Sequence, residues 1–292
     1  MKRFLIFAAI LLISAGVYSG QADELLKGPN PYATGSNARA AGGPDDFGYQ
    51  FLDSNEPDGP TYGYEDISGT GAVAIIGYND DSVEGPFPIG FTFNFYGVDY
   101  TDFWVQTNGS IGFSSFLDDY GNECLPTADL NGNFLAPLWD DLVLGSGPPG
   151  TIFYETLGTA PDRYLVIQFH EVRYIASSDD NPIEFEVILY EGTNDIVFQY
   201  DDLTNGSSND GGVSATIGIQ GDSAAAPAYF LEYACLPATP LAPPLAVRFF
   251  TQQPTPTPTP IPDAIPTMSP WGLGILLLGM IGIAVMVLRR RG

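Results

Sequence analysis

The chain has 292 residues, 45% of them hydrophobic, with ten basic residues against 35 acidic ones and a net charge of −25. Only five of the basic residues (Lys27, Arg39, Arg163, Arg173 and Arg248) lie within residues 23–264, where all the acids lie. So acidic a surface repels phosphate backbones and anionic bilayers, which excludes nucleic acid as a partner, and it attracts divalent cations.

Lys2 and Arg3 precede an apolar run from Phe4 to Val17, and small residues follow at Ser19, Gly20 and Ala22. Basic, apolar and small in that order is the layout of a secretory signal peptide. Residues 1–22 are therefore read as one, with cleavage after Ser19 or Ala22. Residues 23–45 are rich in Gly, Ala, Asn and Pro without periodicity, and read as a loose leader.

From residue 46 to residue 252, short apolar runs alternate with Gly, Asn and Asp turns. In Phe91-Thr92-Phe93-Asn94-Phe95 the three rings share one face and the polar residues the other. A long strand is predicted from Arg163 to Ile175, with Leu165, Ile167 and Phe169 on one side. Ile183, Phe185, Val187 and Leu189 share a face, with Glu184 and Glu186 opposite. Residues 191–195 then turn the chain into Ile196–Tyr200, a hairpin signal. Later strands are predicted at Val213–Gln220 and Leu245–Phe250. Asn108-Gly109 marks a tight turn that needs positive φ, and Trp139 reads as a core aromatic closing an edge. No segment here has a helical period, so the expected class is all-β, one antiparallel β-sandwich over residues 46–252.

Cys124 and Cys235 form an even pair in an exported segment, most simply one disulfide; two free thiols are the alternative. The bridge would close a loop of about 110 residues, for which chain entropy gives roughly 4–5 kcal/mol. His170 is the sole histidine, and it falls on the strand face opposite Leu165, Ile167 and Phe169. With no G-x-S-x-G motif beside it, no catalytic role and no enzyme is expected.

Aspartate pairs recur at Asp45-Asp46, Asp80-Asp81, Asp118-Asp119, Asp140-Asp141, Asp179-Asp180 and Asp201-Asp202, each in or beside a turn. No cofactor is expected, although Ca²⁺ favours oxygens of this kind. No loop follows the spacing of a helix-loop-helix calcium site, and Asp also favours turns for its local hydrogen bonds. A glycosidase would need two of these acids brought together, and placement rather than number decides that.

Residues 253–264 carry a Thr-Pro repeat from Pro254 to Pro260, an extended spacer at about 3.1 Å per residue. Ile265-Pro266-Thr267-Met268-Ser269-Pro270-Trp271 follows, then an uncharged apolar run to Leu288, then Arg289, Arg290 and Arg291. That run suits a single C-terminal transmembrane helix with its arginines on the cytoplasmic side, opposite Trp271.

Residues 265–292 resemble the IPTL-type C-terminal sorting signals of Gram-negative bacteria, relatives of those recognised by exosortases. Ile265, Pro266, Thr267, Ser269, Trp271 and Gly272 match; Met268 stands where Leu is usual, and Pro270 where an acid is common. The resemblance implies a membrane-embedded, transpeptidase-like sorting enzyme as partner, and a plain anchor is the alternative. A second resemblance rests on Pro86–Gly97, Val105–Phe113, Leu135–Leu142, Glu184–Tyr190 with its hairpin, and Ala215–Gln220. Over roughly residues 85–221 this order is similar to nidogen-like extracellular β domains, which implies a non-catalytic interaction module.

The expected protein is thus exported to the cell envelope. It passes through the inner membrane and then acts at the cell surface or outside it. The expected role is structural or adhesive, with an extracellular protein or glycan as partner. A Ca²⁺-dependent carbohydrate-binding protein and a secreted hydrolase are the alternatives.

Overall fold

A computed structural model describes residues 41–252, apart from 78, 116–118, 146–149, 176–180, 207 and 223–228, together with 286 and 289. The signal peptide, most of the leader, the Thr-Pro spacer and the sorting motif from Ile265 to Trp271 lie outside the described residues, as do Arg290 and Arg291. The chain divides into two units, residues 1–252 and 253–292. In the second unit Met286 and Arg289 are exposed and in helical backbone. Among the described residues no helix is long and apolar enough to cross a membrane, and the expected transmembrane segment falls on residues not described.

The first unit holds fifteen strands among its described residues. They begin with β1 (Ala41–Gly42), β2 (Tyr49–Asp53), β3 (Ala72–Ile76), β4 (Val83–Phe95) and β5 (Val98–Gln106). Next come β6 (Ile111–Gly112), β7 (Phe134–Trp139), β8 (Leu142–Val143), β9 (Thr151–Leu157) and β10 (Tyr164–Tyr174). The last are β11 (Ile183–Tyr190), β12 (Ile196–Asp202), β13 (Thr216–Gln220), β14 (Phe230–Ala234) and β15 (Leu245–Thr251). One sheet has the order β1-β2-β15-β12-β11-β10-β9-β3, with β8 also on β10; the other has β14-β13-β7-β6-β5-β4. All these ladders are antiparallel, so the fold is the expected two-sheet, all-β one.

The core lies between the sheets and is set by the period-two alternation. Phe91, Phe93 and Phe95 of β4 meet Leu165, Ile167 and Phe169 of β10, Phe185, Val187 and Leu189 of β11, and Phe198 of β12 in one buried cluster. Phe169 and Phe185 are register partners, their rings stacked at 4.4 Å and 13°. Each such side chain contributes about 1.5–3 kcal/mol on full burial.

The turns follow local chemistry. Between β11 and β12, Asn194 takes φ +56° and donates its amide to the Tyr190 carbonyl, closing the predicted hairpin. Gly109 takes φ +76° between β5 and β6, and a Cβ there would lie 2.0 Å from the Leu138 carbonyl oxygen. Glycine is therefore required twice over, by dihedral and by space.

Four expectations shift. Residues 41–45 belong to the domain: β1 pairs with β2, and Asp45 is buried, accepting the Tyr96 hydroxyl and the amides of Phe47, Gly48 and Tyr49 at 2.8–3.0 Å. Strand β13 begins at Thr216 rather than Val213, because a 3-10 turn, Asp210–Gly212, precedes it. Strand β10 does not alternate throughout. Glu171 takes φ +55° at a register shift between Phe169 and Val172, so Val172 and Tyr174 are also buried. Trp139 is fully buried as expected, but on β7, an interior strand, rather than at an edge.

Candidate functional site

Several strands of the larger sheet are apolar on both faces. Val166 of β10, Ile188 of β11, Val197 of β12 and Ala246 of β15 point away from the core, yet they are buried with Ile67 in a second cluster. They are covered by a strap, residues 60–71, that crosses the sheet's outer face. Its backbone has no strand partner there, and buried amides need acceptors. Three side chains in one row across the sheet supply them: Gln199, Glu186 and Gln168, each the register partner of the next.

Gln199 pairs with both backbone groups of Gly63, accepting from its amide at 2.7 Å and donating to its carbonyl at 2.9 Å. Glu186 Oε1 accepts from the Glu65 amide at 3.1 Å, and Gln168 Oε1 from the Ile67 amide at 2.9 Å. Gln199 Nε2 also donates to Glu186 Oε1 at 2.7 Å.

Glu186 is the unusual member of the row. It is 0% exposed, and its Oε2 has no hydrogen-bond partner. Burial, reinforced by the negative charges of Glu65 and Asp201, pushes its carboxyl up to about 8. It is therefore protonated at neutral pH. Next to it, Glu184 accepts the Glu171 amide at 2.9 Å and the Tyr64 hydroxyl at 3.2 Å, and His170 Nδ1 lies 3.1 Å from its carboxylate. Burial raises the Glu184 carboxyl, and His170 opposes that rise. The sole histidine thus helps to fasten the β10 bulge; it is half-buried beside the strap.

The smaller sheet carries a similar covering. Gln220 brackets Thr127, accepting from its amide at 2.8 Å and donating to its carbonyl at 2.7 Å. Glu232 accepts from the Leu125 amide at 2.7 Å. A Cβ on Gly218 would stand 2.8 Å from Leu125 Cδ1, so glycine makes room for this segment. Cys124 and Cys235 form the expected disulfide, with Cα atoms 5.4 Å apart and a sequence separation of 111.

Beside the strap a groove of about 320 Å³ opens on the outer face of the larger sheet. Thr61 and Gly63 of the strap, Tyr190, Thr193 and Asp195 of the β11–β12 hairpin, and Arg248 of β15 line it. The Arg248 guanidinium lies 4.1 Å from the centroid of the Phe250 ring, and its Nε is buried without a hydrogen bond. Burial raises the Asp195 carboxyl, and the charge of Arg248 opposes that rise. A second groove of about 460 Å³ lies between Pro44, Phe47, Gln50 and Thr251, and the described residues that line it carry no ionisable side chain. Among the described residues Asp195 is the one carboxylate lining these two grooves, whereas a glycosidase uses a pair.

Asp118, Asp179 and Asp180 lie outside the described residues; among the described aspartate pairs, one does meet another. Asp80 and Asp81 converge with Asp141, their carboxylate oxygens within 4.8 Å of one another. Burial and the charges of Asp80, Asp81 and Asp140 push the Asp141 carboxyl up to about 6, and Asn108 Nδ2 donates to Asp81 Oδ1 at 2.9 Å. These three could hold a hard divalent cation, to which oxygen ligands of this kind are suited. The cluster lies outside both grooves. Asp201 instead takes the Tyr62 hydroxyl, and Asp140 takes that of Ser214 at 2.5 Å.

These features define a disulfide-closed, two-sheet β domain with strapped outer faces and an open groove. The family described as NIDO related matches residues 49–243, more than half of the chain and a wider span than the motifs alone suggested. The chain belongs to that family. Neither a curated protein nor a solved structure matches it.

Proposed function

We propose that this chain is an exported cell-surface protein, structural or adhesive, whose non-catalytic sandwich binds a protein or glycan partner. The match of a NIDO-related domain across residues 49–243 carries the reading. The disulfide supports it, since such bonds persist in oxidising compartments. So does the layout of the chain: a signal peptide at residues 1–22, a Thr-Pro stalk at 253–264, and a tail at 265–292. The tail would span the inner membrane, and a transpeptidase-like enzyme would sort the protein through it to the cell surface. Binding of the purified protein to immobilised glycans and matrix proteins, with saturation measured, tests the role. Saturable binding to at least one partner without turnover is expected; no saturable binding to any would refute it.

A second reading has its own observation. The convergence of Asp80, Asp81 and Asp141 favours a Ca²⁺-stabilised binding domain. Millimolar Ca²⁺ should raise the melting temperature of the wild type and leave that of Asp141→Asn unmoved. An unchanged wild-type melt removes this reading.

A further inference from the structure

Three arginines lie in the sandwich, and two have acceptors. Arg163 grips Glu191 through Nε at 2.8 Å and through a terminal nitrogen at 2.5 Å, and Arg173 donates to the Glu171 carbonyl at 3.2 Å. Arg248 differs. Among the described residues its guanidinium makes no side-chain hydrogen bond and no ion pair, in a chain with 35 acidic residues. The Phe250 ring beneath it, 4.1 Å away, fixes the plane of the fork and shields one face from water.

Asp195 lines the same groove, and among the described residues its carboxylate oxygens accept no hydrogen bond. Opposite charges thus share one concavity without pairing. A forked donor suits a carboxylate, and a free carboxylate acceptor suits hydroxyl donors. Tyr190 and Thr193 add hydroxyls, and the volume of about 320 Å³ suits one or two sugar rings.

We propose that this groove binds an acidic saccharide of the uronate type, its carboxylate on Arg248 and its ring hydroxyls donating to Asp195. The assignment rests on the binding-module reading above and names the ligand class. A run of acidic peptide side chains meets the Arg248 fork equally well, but it offers Asp195 further negative charge in place of hydroxyl donors. A neutral sugar satisfies Asp195 and leaves the guanidinium without its anion.

Calorimetry on the full-length protein at neutral pH tests this with three probes: digalacturonate, cellobiose and the peptide Gly-Glu-Gly. Digalacturonate should bind saturably, and cellobiose and the peptide at least about tenfold more weakly. Arg248→Gln should lose at least about tenfold in digalacturonate affinity. Arg248→Lys, which keeps the charge and loses the fork, should fall between. Arg173→Gln should bind as the wild type does, and matching melting curves would establish that each variant is folded. Equal affinity of wild type and folded Arg248→Gln overturns the assignment, as does cellobiose or the peptide matching digalacturonate. In those cases the binding-module reading stands if saturable binding to any immobilised partner persists, and both fall together if none does.

Discussion

Replacing Glu186 by glutamine should flatten the domain's loss of stability between pH 5 and pH 9. The carboxyl is fully buried beneath the strap, and its titration is pushed from the ordinary 4.5 up to about 8. Between those values the folded protein keeps a proton that the unfolded chain releases. Folding therefore binds protons, and stability falls as pH rises, by about 1.4 kcal/mol per unit. From pH 5 to pH 9 the loss from this one group is about 4 kcal/mol, spent largely before pH 8. A glutamine carbonyl would still accept from the Glu65 amide and Gln199 Nε2 and could not ionise. Its amide nitrogen would occupy the position of the partnerless Oε2, which costs about 1 kcal/mol at pH 5. The two stability curves should accordingly cross below pH 7, with Glu186→Gln the more stable protein at pH 9. Urea unfolding at unit pH intervals, followed by aromatic fluorescence, provides both curves. Other raised carboxyls, Asp141 and Glu184 among them, tilt both proteins alike and drop out of the difference. Parallel curves from pH 5 to pH 9 would refute the reasoning, since Glu186 would then hold no extra proton in the fold.

Removing the disulfide by Cys124→Ala with Cys235→Ala should cost about 4–5 kcal/mol of stability in urea, the cysteines being 111 positions apart; a loss below about 1 kcal/mol would contradict the loop-closure argument. Gly109→Ala should destabilise by at least about 2 kcal/mol, because a Cβ meets the Leu138 carbonyl at 2.0 Å on a backbone at φ +76°, and an unchanged melting temperature would count against it. Mass spectrometry of the mature protein should show a chain that starts after Ser19 or Ala22 and lacks Arg289–Arg291; a form still ending in those arginines would return the tail to a plain anchor.

Alternation revealed the core-facing side of nearly every long strand, from Phe91, Phe93 and Phe95 to Ile183–Leu189, because one buried face imposes a period of two. It did not reveal the strap. Residues 60–71 carry no period, and Gln168, Glu186 and Gln199, being polar, read as solvent-facing. The signal lay in their neighbours: Leu165-Val166-Ile167, Val187-Ile188-Leu189 and Ile196-Val197-Phe198 are apolar on both faces, the mark of a strand covered twice. The bulge at Glu171 was illegible for a different reason, since a positive φ at a glutamate has no compositional sign. The Asp80, Asp81 and Asp141 meeting depends on the β7–β8 turn being brought to residues 80–81, a long-range contact that spacing does not encode. Arg248 could have been singled out by scarcity alone, as one of five basic residues within residues 23–264.

Strand β15 carries Arg248 of the groove and ends at Thr251, shortly before the residues proposed above as a stalk. Arg248 and Thr251 are three residues apart, and the strand is bonded on both flanks, to β2 through Val247–Thr251 and to β12 through Leu245–Phe249. Tension between a ligand on Arg248 and a tether at residue 252 would run along that short length of strand. The covalent backbone of those few residues would carry the pull, and the ladders on either flank would only hold the strand in place. The rest of the sandwich lies off the line of force, so a tethered protein could hold its ligand under load without the domain being drawn open.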